Sequence, residues 1–175
     1  MPNLAKKTKQ IAGVIQLKRY EDYECYDILS YLNKYLNDNC DFYASILHNA
    51  DYNVEELDTG EVIRTKENNH IHFVAQFSSA FQQTRIKTHI NNICDAINDN
   101  LNDYDKLSIF AISCDYAKDL IDNTKYLLHA RPQDAQKHRY ERELILSNNQ
   151  DLVDCYLDSE SNTFTPQYLY TLLKE

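Results

Sequence analysis

The stretch Asn69-His70-Ile71-His72-Phe73-Val74-Ala75-Gln76-Phe77 constrains the fold most, because it is a short apolar run carrying two histidines one residue apart. In a strand, alternate residues face the same way and each residue rises about 3.3 Å, so His70 and His72 stand side by side, roughly 6.6 Å apart at the backbone. Two imidazoles on one face can hold one metal ion, or they can be two partly exposed residues on a polar strand face. The rest of the chain has to decide between these.

Around this run the apolar pattern switches repeatedly between the strand and helix periods. Residues 1–9, with Lys6, Lys7 and Lys9, read as a loose arm, and residues 11–17 as a first strand. Residues 24–36 place Ile28, Leu29, Leu32 and Leu36 at helical spacing. Residues 41–47 form a second strand ending at His48. Asp58-Thr59-Gly60 is a turn signal, after which residues 61–64 lead toward the histidine strand. Residues 79–97 read as a helix, 107–113 as a strand buried on both faces, and 115–129 as a third helix. Residues 130–142 are basic and irregular, residues 143–146 form a short strand, and Thr165-Pro166 starts a terminal helix. The order β-α-β-β-α-β-α predicts an α+β chain, a ferredoxin-like or RNA-recognition-like antiparallel sheet with helices packed on one face. With 175 residues, one domain is expected over 1–150, followed by a helical tail over 151–175.

Composition narrows the chemistry. The two glycines, Gly13 and Gly60, exclude a Walker A loop and a dinucleotide fingerprint, each of which needs several glycines together. Cys25, Cys40, Cys94, Cys114 and Cys155 are odd in number and scattered, as reduced thiols are. No run approaches the length of a membrane span, and no apolar signal core follows the N-terminal lysines, so a cytoplasmic protein with no membrane partner is expected. The net charge of −9 is unevenly spread, with eleven acids and one base in residues 20–61 and five acids and one base in 151–175. The remainder is net basic, so one face can still meet a polyanion.

A metal site for phosphate chemistry needs neutral nitrogens and a carboxylate converging from separate strands. Leu47-His48-Asn49-Ala50-Asp51 supplies one more imidazole and a carboxylate where the second strand ends. With His70 and His72 this makes three nitrogens and one oxygen, a set suited to Mn²⁺, with Mg²⁺, Co²⁺ or Zn²⁺ as alternatives. Asp41, Glu55 and Glu56 are rival carboxylates.

These residues carry a resemblance. His70-Ile71-His72 resembles the histidine-hydrophobe-histidine motif of HUH endonucleases, and Leu47-His48-Asn49-Ala50-Asp51 resembles the partner motif of one branch, the rolling-circle replication initiator (Rep) family of small Gram-positive plasmids. Lys125-Tyr126-Leu127-Leu128-His129, followed by a charged stretch, Tyr140 and Ser147-Asn148-Asn149, is similar to that family's nucleophile segment. The three motifs agree in order and spacing across residues 11–149.

The resemblance implies His48, Asp51, His70 and His72 as metal ligands and Tyr126 as nucleophile, with Tyr116 and Tyr140 as fallbacks. It implies nicking and rejoining of origin DNA through a 5′-phosphotyrosine, with hairpin or single-stranded origin DNA and the host helicase and polymerase as partners. The basic run Arg131, Lys137, His138, Arg139 and Arg142, with Lys125, is the expected DNA-backbone contact, set against a simple solvated loop. Many HUH enzymes have Tyr-x-x-Lys, and here the lysine position is His129, an auxiliary candidate. Similar initiators carry a C-terminal oligomerisation domain, of which residues 151–175 are a remnant or a beginning, so a homo-oligomer is left open. The rival readings are a conjugative relaxase, which usually places its tyrosine before the histidine pair, and a non-catalytic origin-binding regulator on the same scaffold.

Overall fold

The computed structural model describes residues 7–108 and 111–159. Its centre is a five-stranded sheet of order β6-β1-β5-β2-β7, every neighbouring pair antiparallel. The strands are β1 (Lys7–Gln16), β2 (Phe42–His48), β5 (His70–Gln82), β6 (Ile112–Tyr116) and β7 (Leu146–Ser147). A separate exposed hairpin, β3 (Tyr52–Glu56) and β4 (Val62–Lys66), stands between β2 and β5. Its turn needs the left-handed backbone of Gly60, φ +80°. The chain is therefore α+β, as its periodicities indicate.

Helices cover both faces of the sheet, not the one face expected. Each residue of β2 is buried, because both of its alternating sets are largely apolar and both faces are covered. Tyr43 and Leu47 join Ile11, Ile15, Ile71, Phe73 and Ala75 in one core, closed by α1 (Asp22–Asn39) and α2 (Ile86–Asn98). Phe42, Ala44, Ile46 and Val74 face the other core, closed by α3 (Leu120–Leu127) and α4 (Gln150–Asp158). Each aliphatic side chain fully buried there contributes about 1.5–3 kcal/mol, and a strand apolar on both sides gains it only when both are covered. Gly13 serves the first core, since a Cβ there would lie 2.4 Å from the Phe73 ring.

Several element boundaries differ from expectation for local reasons. β1 begins at Lys7 because Lys7 and Thr8 pair with Gln82 and Phe81, and the same pairing carries β5 through the predicted start of a helix at residue 79. A capping box between Glu21 and Glu24 starts α1 two residues early. The strand expected over 107–113 lies instead at Ile112–Tyr116, on the sheet edge and not buried on both faces, while residues 109 and 110 fall outside the described residues. Asp119 accepts hydrogen bonds from the Ile121 and Asp122 amides (2.9 and 3.2 Å), so α3 starts there and not at 115. The expected short strand at 143–146 is largely a 3-10 turn, Arg142–Leu144, leaving only β7.

α4 begins where the tail was expected. Asn149 caps it by accepting from the Leu152 amide at 3.0 Å. Val153 and Tyr156 are buried in the second core, with Tyr156 edge-on to Phe42 at 5.6 Å, so residues 151–158 belong to the domain's packing. The helix start at Thr165-Pro166 lies outside the described residues. Among the described residues no helix is long and apolar enough to cross a membrane.

Candidate functional site

Strand register assembles the imidazoles. In the β2–β5 pair, Ile46 stands opposite His72 and His48 opposite His70, so all three histidines lie on the α3 face, at the end of the apolar row Phe42, Ala44, Ile46. Ring centroids are 4.7 Å apart for His48 and His72, 4.9 Å for His70 and His72, and 5.2 Å for His48 and His70. One ring nitrogen from each lies within 4.8 Å of the other two. Asp51, three residues past the end of β2, turns back under them, with Oδ2 3.3 Å from His48 Nδ1 and 3.5 Å from His70 Nε2. The rival carboxylates are elsewhere: Asp41 at the far end of β2, Glu55 and Glu56 on the exposed hairpin.

Hydrogen bonds to carbonyl oxygens settle the tautomers, since a carbonyl can only accept. His48 Nε2 donates to Leu127 O (2.7 Å), His70 Nδ1 to Asn68 O (2.8 Å) and His129 Nδ1 to His138 O (2.7 Å). His48 Nδ1 and His70 Nε2 therefore carry lone pairs aimed at the Asp51 carboxylate. His48 Nδ1 is wholly buried, and despite its closeness to Asp51 it has no hydrogen bond. Lone pairs facing each other in a buried site require a cation between them, either a proton or a metal ion. Ligands each roughly 2.2 Å from one ion lie about 3.0–3.6 Å apart, the spacing of the Asp51 contacts, and backbone carbonyls holding the far ring nitrogens are the usual outer support of such ligands. The residues present fit a divalent ion. Glu67, which forms a further triplet with Asp51 and His70, is an added ligand candidate that no sequence motif marked.

The electrostatics agree. Burial first, then the neighbouring His48, His70 and His129 rings, hold His72 down to about 2, keeping it neutral. Burial acts to raise the Asp51 carboxyl, but contacts with His48, His129 and the Tyr140 hydroxyl outweigh it and bring it to about 2. A histidine depressed below its usual 6.5 adds stability fully present above that value and lost as pH falls toward the folded value, because the unfolded chain then binds a proton that the fold refuses. Metal-free protein is expected to lose up to about 1.4 kcal/mol per pH unit below pH 6.5 through His72. Denaturant midpoints at pH 7.5, 6.5 and 5.5 check this against His72→Gln, whose slope is shallower, and parallel curves would refute it.

Tyr126 sits in the last turn of α3, its ring edge-on to His72 at 5.1 Å and 5.4 Å from His129. Lys137 Nζ donates to its hydroxyl at 3.2 Å, and the Arg131 guanidinium lies 4.1 Å over its ring, braced by Asp134 (2.6 Å) and Asp122 (3.2 Å). Tyr126 lines two cavities, one shared with Asp51, His70 and Glu67.

The fallback tyrosines are differently placed. The Tyr140 hydroxyl donates to Asp51 (3.0 Å) and accepts from the Ala50 amide (3.0 Å), its ring stacks on His48 at 4.2 Å, and burial first, then Asp51, push its phenol up. It braces Asp51 and His48. Tyr116 pairs with Ile11 and so faces the opposite side of the sheet from the histidines.

The expected DNA-contacting cations are divided. Lys137 and Arg131 converge on Tyr126, and Arg139 is exposed. Lys125 donates instead to Ser159 O (2.6 Å), and Arg142 pairs with Asp154 (3.2 Å) and Asp158 (2.6 Å), so both are committed to holding α4.

His129 is buried, 3.7 Å from Asp51, and not a surface residue. Its φ of +52° is the one left-handed value at a non-glycine among the described residues. Its amide bonds to Tyr126 O and the Ala130 amide to Lys125 O (both 2.9 Å), the pattern of a helix stop whose left-handed position normally holds glycine. Retaining a β-carbon there costs about 1 kcal/mol, which points to a use for the imidazole. His129→Gly and His129→Ala both delete the ring, and the glycine variant is expected to be about 1 kcal/mol the more stable in urea melts. Equal stability would mean the position is unstrained.

No protein-family model matches the chain, and no curated protein matches it.

Proposed function

We propose that this chain is a metal-dependent DNA-nicking and strand-rejoining enzyme of the HUH class, acting as a rolling-circle plasmid replication initiator. One observation supports this above the others: His48, His70 and His72 bring ring nitrogens within 4.8 Å of one another, Asp51 lies against His48 and His70, and the His72 ring is 5.1 Å from that of a tyrosine whose hydroxyl meets a lysine. His48, His70, His72 and Asp51 would hold the divalent ion, Mn²⁺ foremost, which supplies polarisation of the scissile phosphate.

The chain's own residues do the rest. The Tyr126 hydroxyl loses its proton to solvent and its oxygen bonds to phosphorus. The bond from phosphorus to the 3′ oxygen breaks, and that oxygen departs with the electron pair and takes up a proton. Lys137 holds the attacking hydroxyl in place and Arg131 holds its ring, and both bring positive charge to the place where the phosphate would sit. One ester replaces another, so rejoining needs no ATP, consistent with a chain that has no glycine-rich nucleotide loop.

Incubation with a labelled single-stranded oligonucleotide carrying the plasmid's nick site is expected to yield a denaturation-resistant protein–DNA adduct with Mn²⁺ and none with EDTA. A mobility shift without covalent product would favour a non-catalytic origin-binding regulator, and an EDTA-resistant adduct would remove the metal from the reaction.

A further inference from the structure

The histidine face of the sheet is only half covered. α3 and α4 pack over β2, β5 and β7, whereas on β1 and β6 the same face is left as a trough of about 180 Å³ beside Tyr126. Register sets its floor: Val14 lies between His72 and Ser113, and Ala12 between Val74 and Asp115. Ala12 and Val14 are only partly covered, and Ser113 and Asp115 are exposed. Asn123 and Tyr126 of α3 form the wall.

The trough is smaller than the roughly 300–1,000 Å³ pockets that enclose a drug-sized molecule, and its small floor residues leave a flat apolar surface against an aromatic ring. Its polar rim presents acceptors. Asn123 commits its Nδ2 to Asp119 O (2.6 Å), which leaves its oxygen for a ligand. Asp115 uses one carboxylate oxygen on the Tyr116 amide (2.6 Å), which leaves the other. A carboxylate repels phosphate but accepts from ring N–H and amino groups, and an apolar floor beside an aromatic wall suits a π-face.

Resting on the proposed nicking function, we infer that this trough takes one unpaired nucleobase next to the scissile phosphate and prefers guanine, whose imino and amino groups bring two kinds of donor to a rim carrying acceptor oxygens on Asp115 and Asn123. Adenine and cytosine offer one amino group to the rim, and thymine one imino N–H, so each of the three brings a single donor group where guanine brings two. The trough thus selects which strand and position reach Tyr126, while the metal ligands remain indifferent to sequence.

The test uses the full chain and fluorescent oligo(dT) 12-mers, either unsubstituted or with a single central dG, dA or dC, in EDTA so that binding is read without chemistry. One dG is expected to tighten binding about 5- to 10-fold over all-dT. Asp115→Asn, an exposed edge-strand change, should reduce that preference to under about 2-fold, and Ala12→Leu, which fills the floor, should weaken binding of all four. Equal binding of the four 12-mers, preference unchanged in Asp115→Asn, or no binding at all overturns the inference. Base preference without any Mn²⁺-dependent adduct would remove the nicking function and leave the base pocket standing, whereas an adduct with no base preference would remove the pocket alone.

Discussion

Replacing Tyr126 with phenylalanine is expected to abolish covalent attachment to a single-stranded origin oligonucleotide, a fall of at least about 10⁴-fold in adduct formation. The change deletes one oxygen. The phenyl ring keeps its edge-on contact with His72 and its place beneath the Arg131 guanidinium, so the fold and the ligand cluster should persist. What disappears is the atom that Lys137 reaches at 3.2 Å. Metal-induced stabilisation should be as large in the variant as in the parent, which separates loss of chemistry from loss of structure. An undiminished adduct would move the nucleophile elsewhere, and peptide mapping of the conjugate would find it; Tyr140, held between Asp51 and Ala50, could serve only by breaking the cluster it braces.

The second large effect concerns the ligands. Mn²⁺ at 100 times its dissociation constant is expected to stabilise the protein by about 2.7 kcal/mol, because the unfolded chain lacks the assembled site. His70→Ala removes a nitrogen whose lone pair faces Asp51 at 3.5 Å and is expected to lower metal affinity by more than about 100-fold, erasing that gain and the adduct together. His48→Ala should act likewise, and its metal-free form should gain in one respect, since the buried unpartnered Nδ1 is gone. A thermal midpoint insensitive to Mn²⁺, Mg²⁺, Co²⁺ and Zn²⁺ in the parent protein would refute the metal site outright. So would a His70→Ala variant with unchanged metal response.

Parts of this site were legible before any coordinates. The alternation in Asn69–Phe77 implies that His70 and His72 share a face, and His48 and Asp51 at the end of an apolar run are recognisable as further candidate ligands. Other parts were not. Lys137 was visible only as one cation in a basic run, and nothing local marks it as the neighbour of a hydroxyl eleven residues away. Lys125 and Arg142 look like the same kind of residue, yet α4 claims both. His129 reads as an ordinary histidine until its positive φ and burial are seen.

Local periodicity and residue chemistry by themselves determined the main strands and helices, the α+β class and the residue types able to bind a metal, because these depend on neighbours a few positions apart in the chain. Only the tertiary structure decided the pairing of Ile46 with His72 and of His48 with His70, the covering of both sheet faces, and the half-bare floor beside Tyr126. Those features arise from contacts between residues far apart in sequence. A shift of one residue in strand pairing would leave every local pattern intact and scatter the histidines to opposite faces.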